Sequence, residues 1–248
     1  MSGHSKWASI KHKKALVDAK RGKMFTKLIR EITVAARTGG GDPETNPRLR
    51  IAIANAKSGN MPADNIERAV KKGSGALEGV NYEEVFYEGY GPEGVAVYVQ
   101  CLSDNKNRTA SEIRNIFSKK SGNMAGAGSV AWLFEKKGLI IVNADKASED
   151  QLMEIVLNAG AEDLSRQDNK FEILTAASEF EAVKEAIDDA KIHYESADIQ
   201  MIPKNLVPVS ASNARQVLAL IEAFEDHDDV QNVYANCDIP DEIMKEVG

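Results

Sequence analysis

The sequence predicts an α+β protein of three domains: an N-terminal three-helix domain and two ferredoxin-like α/β sandwich domains, the third inserted in the second. Three observations lead there. Residues 1–75 carry their apolar residues at helical spacing. From residue 82 the period shortens to that of strands, with capped helices between them. Residues 139–202 run in the order βαββαβ, the ferredoxin-like arrangement. The expected domains are 1–79, then 80–136 with 205–248, then the inserted 137–204, all of ordinary domain size.

The first helix is predicted over 19–37, where Phe25, Leu28, Ile29, Ile32 and Ala36 form one stripe and Asp18 is placed as N-cap. Thr38-Gly39-Gly40-Gly41-Asp42-Pro43 ends it. Asn46-Pro47, a cap followed by proline, opens a second helix that stops at Gly59-Asn60. Pro62 opens a third, closed by Gly73-Ser74-Gly75. These stripes are alanine-rich and modest, so the unit is expected to lean on a partner or another domain.

Val85–Tyr90 and Val95–Leu102 read as strands joined by Gly91-Pro92-Glu93-Gly94. Thr109-x-x-Glu112 reads as the capping box of the next helix, and Ser129–Phe134 as a strand. In the insert, Leu139–Val142, Asp163–Ser165, Phe171–Leu174 and Ser196–Ile202 are strands. Ser148-x-x-Gln151 and Ser178-x-x-Glu181 cap its two helices. A strand at Val207–Val209, a helix burying Val217, Leu218, Ile221 and Phe224, and a strand at Val230–Ala235 complete the chain.

Charge is distributed unevenly. The chain's net charge is −7, yet residues 1–75 sum to +10 and the remainder to −17. The first 30 residues hold nine bases against the single acid Asp18. Such asymmetry points to a basic contact surface on an acidic body. On a helical wheel Lys20, Lys23, Lys27 and Arg30 cluster opposite the apolar stripe and Arg37 continues the side; Arg21, next to Lys20 in sequence, is a further candidate contact. Ahead lie Lys6, Lys11, Lys13 and Lys14, with Trp7 and His12 between them. This arm can follow a phosphate backbone while Trp7 stacks on a base; alternatively Trp7 anchors a core and the ridge is a solvated face. Lysine-dominated contact without a helix rich in Arg, Asn and Gln favours backbone grip over base readout. Lys106 and Arg108, in Asp104-Asn105-Lys106-Asn107-Arg108-Thr109, lie at a helix N-terminus where phosphate could bind or where an ordinary capped turn could sit.

Other chemistries lack their residues. Gly89-x-Gly91-x-x-Gly94 has Pro92 inside it and a strand after it, so it is a hairpin turn and no dinucleotide fingerprint. Gly39-Gly40-Gly41 lacks the ending of a phosphate loop, and Gly122, Gly126 and Gly128 make another mobile loop. His4, His12, His193 and His227 share no ligand spacing, so no metal, cofactor or catalytic residue is expected. Glu222, Glu225, Asp226, Asp228 and Asp229 form an acidic patch suited to docking a basic protein. Cys101 and Cys237 are expected as free buried thiols in a reducing compartment. The N-terminus reads as neither signal nor transit segment, and no apolar run reaches a membrane span.

Gly3-His4-Ser5-Lys6-Trp7, Ile10-Lys11-His12-Lys13-Lys14, Arg21-Gly22-Lys23, Asn60-Met61-Pro62, Asp64-Asn65-Ile66-Glu67-Arg68-Ala69 and Gly128-Ser129-Val130-Ala131-Trp132 resemble the YebC family along essentially the whole chain. The resemblance implies three domains, the first helical, the third inserted in the second. It implies a transcriptional regulator that binds promoter DNA, or a translational activator that helps ribosomes through runs such as consecutive prolines. The expected protein is therefore a non-enzymatic, cytoplasmic regulator with nucleic acid (DNA or ribosomal RNA) or the ribosome as partner, monomeric or weakly self-associating.

Overall fold

A computed structural model describes residues 18–240 and Ile243, with the backbone alone for residues 18–21. Leu133–Leu206 form one compact unit, and the other described residues, up to Trp132 and from Val207 on, form the second.

The second unit begins with α1 (Asp18–Gly39), α2 (Pro47–Ser58) and α3 (Ala63–Gly73). Ile32, Ala35 and Ala36 of α1 bury against Leu49, Ala52 and Ala56 of α2 and Ile66 and Ala69 of α3, with Phe25, Leu28 and Ile29 at the margin. Small side chains let the helices close in: a Cβ at Gly73 would collide with the Thr33 carbonyl oxygen. One buried asparagine fastens the corner. Asn46 Oδ1 accepts from the Leu49 N–H as N-cap of α2, while its Nδ2 donates to the Ala35 and Gly40 carbonyls, each at 2.8 Å.

The chain then forms the hairpin of β1 (Glu83–Tyr90) and β2 (Ala96–Ser103). Its turn places Glu93 and Gly94 at positive φ, so the glycine series there closes a hairpin. Next come α4 (Lys106–Lys119) and the short β3 (Asn123–Ala125), which pairs with β1.

The first unit follows as β4 (Phe134–Asn143), α5 (Glu149–Asn158), β5 (Ala161–Gln167), β6 (Lys170–Ala176), α6 (Phe180–Asp189) and β7 (Ser196–Pro203). The strands lie in the order β5-β6-β4-β7, all antiparallel, which is the ferredoxin-like order. Leu152, Val156, Phe180, Val183 and Ile187 of the two helices are fully buried with Ile140, Val142 and Ile173 of the sheet.

The chain returns through β8 (Val207–Pro208), α7 (Ala211–Glu225), β9 (Val230–Ala235) and β10 (Cys237–Asp238). β9 completes the antiparallel sheet β3-β1-β2-β9, and β10 pairs in parallel with β8. α4 and α7 pack together, the Phe117 and Phe224 rings meeting edge to face at 4.7 Å. Like the insert, this is a four-stranded antiparallel sheet backed by two helices; its strand order differs.

Local chemistry departs from expectation at four places. Asn105, not Thr109, caps α4 by accepting from the Arg108 N–H. Thr109 is buried inside the helix. α6 starts after Glu179 with no side-chain cap, so Ser178 does not cap it. Residues 129–133 form a loop and a 3₁₀ turn rather than a strand, because Glu88 takes their N–H groups. The expected glycine loop instead contributes β3. Both cysteines are free, and burial pushes their thiols up to about 12. Among the described residues no helix is long and apolar enough to cross a membrane.

Candidate nucleic-acid interface

Lys6, Trp7, Lys11, Lys13 and Lys14 lie outside the described residues, and of Lys20 and Arg21 only the backbone, on α1, is described. The rest of the ridge is well placed and already engaged. Lys23 Nζ donates to the Asp226 carbonyl at 3.0 Å and Lys27 Nζ to the Glu225 carbonyl at 2.6 Å. Arg30 Nη1 donates to the Asp228 carbonyl at 2.8 Å and forms an ion pair with Asp229 Oδ1 at 2.7 Å. Its guanidinium also lies 5.1 Å from the centre of the Tyr82 ring. Arg37 binds Asn81 Oδ1 and the Val80 carbonyl.

The reason is the end of α7. A helix C-terminus leaves carbonyls without partners and carries partial negative charge. Here the next oxygens belong to an acidic turn, Asp226 to Asp229. The three/four spacing that aligns Lys23, Lys27 and Arg30 on one face of α1 brings them against that turn together. The acidic patch docks a basic partner, and the partner is the chain's own first helix.

Asp229 is the hub. Its side chain is 3% exposed, and Oδ2 accepts from Arg108 Nη2 at 2.6 Å and from Thr109 Oγ1 at 2.5 Å. Burial by itself would raise its pKa. Hydrogen bonds from Thr109, Arg108 and Arg30 outweigh it and hold the carboxyl down at about 2. Arg108 is further paired with Asp104 at 2.8 Å, and Lys106 with Glu83 at 2.5 Å. Both cations proposed for phosphate at the α4 N-terminus are thus ion-paired within the chain. His227 Nε2 lies 2.9 Å from Glu112 Oε2, and its Nδ1 accepts from the Asp229 N–H. Glu112, His227 and Asp229 bring possible metal-ligand atoms within 4.8 Å of one another. Donors already occupy the Asp229 oxygens and His227 Nδ1, a poor fit for a cation.

The sequence profile of the TACO1/YebC N-terminal domain matches residues 5–76, and that of the family's second and third domains matches 82–237. The chain belongs to the TACO1/YebC family. A relative from Desulfatibacillum aliphaticivorans, named a probable transcriptional regulatory protein, is 58% identical over 99% of this chain and 100% of its own. A relative of the same name from Syntrophobacter fumaroxidans is 58% identical over the full length of both chains. The crystal structure of a conserved hypothetical protein from Aquifex aeolicus matches with a TM-score of 0.85 at 51% identity, covering 94% of this chain and 97% of that one.

In this TACO1/YebC chain, reasoning from sequence missed Asp229, Thr109 and Tyr82 as a set. The available signal was the opposed charge of the two parts of the chain, +10 against −17. It also missed Glu88, a buried carboxylate on β1 that accepts from the N–H groups of Gly128, Val130 and Ala131 at 2.7, 2.6 and 2.9 Å. Burial would raise that carboxyl's pKa; the backbone donors from Gly128 to Ala131 lower it below the usual value.

Proposed function

We propose that the protein is a nucleic-acid-binding regulator of gene expression, acting in the cytoplasm as a DNA-binding transcriptional regulator and catalysing no reaction. The observation that carries this reading is the cationic N-terminal segment, +10 over residues 1–75, in a chain of net −7 whose full-length relatives are named probable transcriptional regulatory proteins. Lys23, Lys27 and Arg30 hold α7, so phosphate contact falls to Lys6, Lys11, Lys13, Lys14, Lys20 and Arg21. The test is footprinting of the full-length protein on genomic promoter fragments at physiological salt. Protected sites that vanish on Lys11→Glu/Lys13→Glu/Lys14→Glu are expected; uniform, sequence-blind binding that salt abolishes contradicts a promoter-specific role.

A second reading, a ribosome-associated translational activator binding ribosomal RNA, has an observation of its own. Three of the cations on α2 and α3 are taken up within the chain and so do not read base edges. Arg48 is held by Glu31 and Glu84, Arg50 by the Pro43 and Glu44 carbonyls, and Lys71 by Glu67. Backbone grip suits folded RNA as well as duplex DNA. Crosslinking in cells followed by sequencing of the bound nucleic acid separates promoter DNA from ribosomal RNA.

A further inference from the structure

We propose a second nucleic-acid contact at the C-terminal end of α4, where a single-stranded segment lays its phosphates on Arg114, Lys119 and Lys120 and stacks a base on Trp132. The inference takes its ligand class from the reading above but uses none of the same residues.

The charge pattern is the first observation. Beyond residue 75 the chain sums to −17, yet residues 113–134 contain Arg114, Lys119 and Lys120 and no acid. All three cations are exposed, and none forms an ion pair among the described residues. They differ in this from Lys23, Lys27, Arg30, Lys106 and Arg108, all engaged within the chain.

The second observation is an aromatic pair held beside them. Trp132 is 64% exposed and Tyr90 37%. Tyr90 pairs with Asn123 across β1 and β3, three residues beyond Lys120. The approach is close: a Cβ at Gly122 would lie 2.8 Å from the Tyr90 carbonyl oxygen. Tyr90 Oη and Trp132 Nε1 both donate to the Ser129 carbonyl, at 3.0 and 3.1 Å. The polar atoms of both rings are thus satisfied from within. What they offer outward is π surface, the feature that stacks on any base.

The third observation is rigidity. Glu88 gathers the N–H groups of Gly128, Val130 and Ala131 onto one buried carboxylate, and Gly128 stands at φ +84°, which favours glycine. The loop bearing Trp132 is therefore preorganised, and binding costs little ordering. Glu88, the carboxylate two residues from Tyr90, is turned inward and does not oppose a phosphate. Exposed cations, a fixed indole and a sequence free of acids match a single strand. Bases paired in a duplex cannot reach the ring.

The test uses full-length protein with Trp7→Phe, which leaves Trp132 as its one tryptophan. It is titrated with a 12-nucleotide oligouridylate, the matching oligodeoxythymidylate and a duplex of equal length, reading indole emission together with anisotropy of the labelled strand. Either single strand should quench Trp132, and the duplex should bind without quenching. RNA alone quenching would narrow the ligand to RNA. Lys119→Glu/Lys120→Glu should weaken single-strand affinity about tenfold or more. Trp132→Ala should weaken it roughly 5- to 150-fold, with Trp132→Phe recovering most of the loss. Unchanged emission while anisotropy reports a bound strand, no binding of single strands at all, or unchanged affinity in the Lys119/Lys120 variant overturns the proposal. Lys11→Glu/Lys13→Glu/Lys14→Glu separates the two readings. If it abolishes duplex binding while Trp132 is still quenched, both stand. If it changes nothing while Trp132 is quenched, the arm reading fails and this one holds.

Discussion

Two cationic clusters of the same unit have opposite fates. Lys23, Lys27 and Arg30 on α1 direct their charge at the carbonyls and carboxylate that follow α7. Arg114, Lys119 and Lys120 near the end of α4 face solvent with no acid in their stretch of sequence. The difference teaches that density of positive charge along a chain does not measure the charge a partner can reach. A ridge of perfect helical spacing is also what one helix needs to cap another.

The largest expected effect strikes the clamped cluster. Asp229→Ala leaves Arg30 and Arg108 without their shared carboxylate and should cost about 3–5 kcal/mol in urea denaturation. A loss under about 1 kcal/mol would break the contrast by making the clamp an ordinary surface pair. Acid should weaken the same hub. Asp229 is held at about 2 when folded, below its unfolded value near 4. Its contribution is therefore fully present above about pH 4 and is lost as the pH falls through about 2. Stability measured across that window should fall in the wild type and stay flatter in Asp229→Asn.

Asn46→Ala gives a reference inside the helical segment. It removes the α2 cap and the side-chain donor to the Ala35 and Gly40 carbonyls, so stability should drop by about 1–3 kcal/mol. Nucleic-acid binding should survive wherever the protein stays folded, as anisotropy at low temperature would show. The smallest effect belongs to the open cluster. Lys119→Glu/Lys120→Glu should leave stability within about 0.5 kcal/mol in the same denaturation assay, since neither charge is ion-paired among the described residues. A larger loss would mean the two clusters are alike.

Much of the frame could be read from local chemistry. Asn46-Pro47 announced α2, Ser148 caps α5 through the Gln151 N–H, and the βαββαβ order of the insert follows from alternation of period alone. What could not be read is long-range. Thr109 sits three residues ahead of a glutamate, as a capping residue would. Its hydroxyl instead serves Asp229, 120 residues away. The ridge was legible as a ridge, but its partner lies 198–203 residues further on. No periodicity encodes that distance. The short β3 and β10 were hidden for a different reason: pairing decides them, and each holds too few residues to show alternation.

The salt dependence of nucleic-acid affinity tests the partition of charge most directly, compared between the wild-type protein and Lys11→Ala/Lys13→Ala/Lys14→Ala. Every phosphate that the protein no longer neutralises should make the slope of log K against log salt shallower by about 0.7–0.9, so the slope of the triple variant should flatten by roughly 2–3 units. An unchanged slope in that variant, with the flattening found instead in Lys23→Ala/Lys27→Ala, would show that the docked face of α1 is the one that meets nucleic acid.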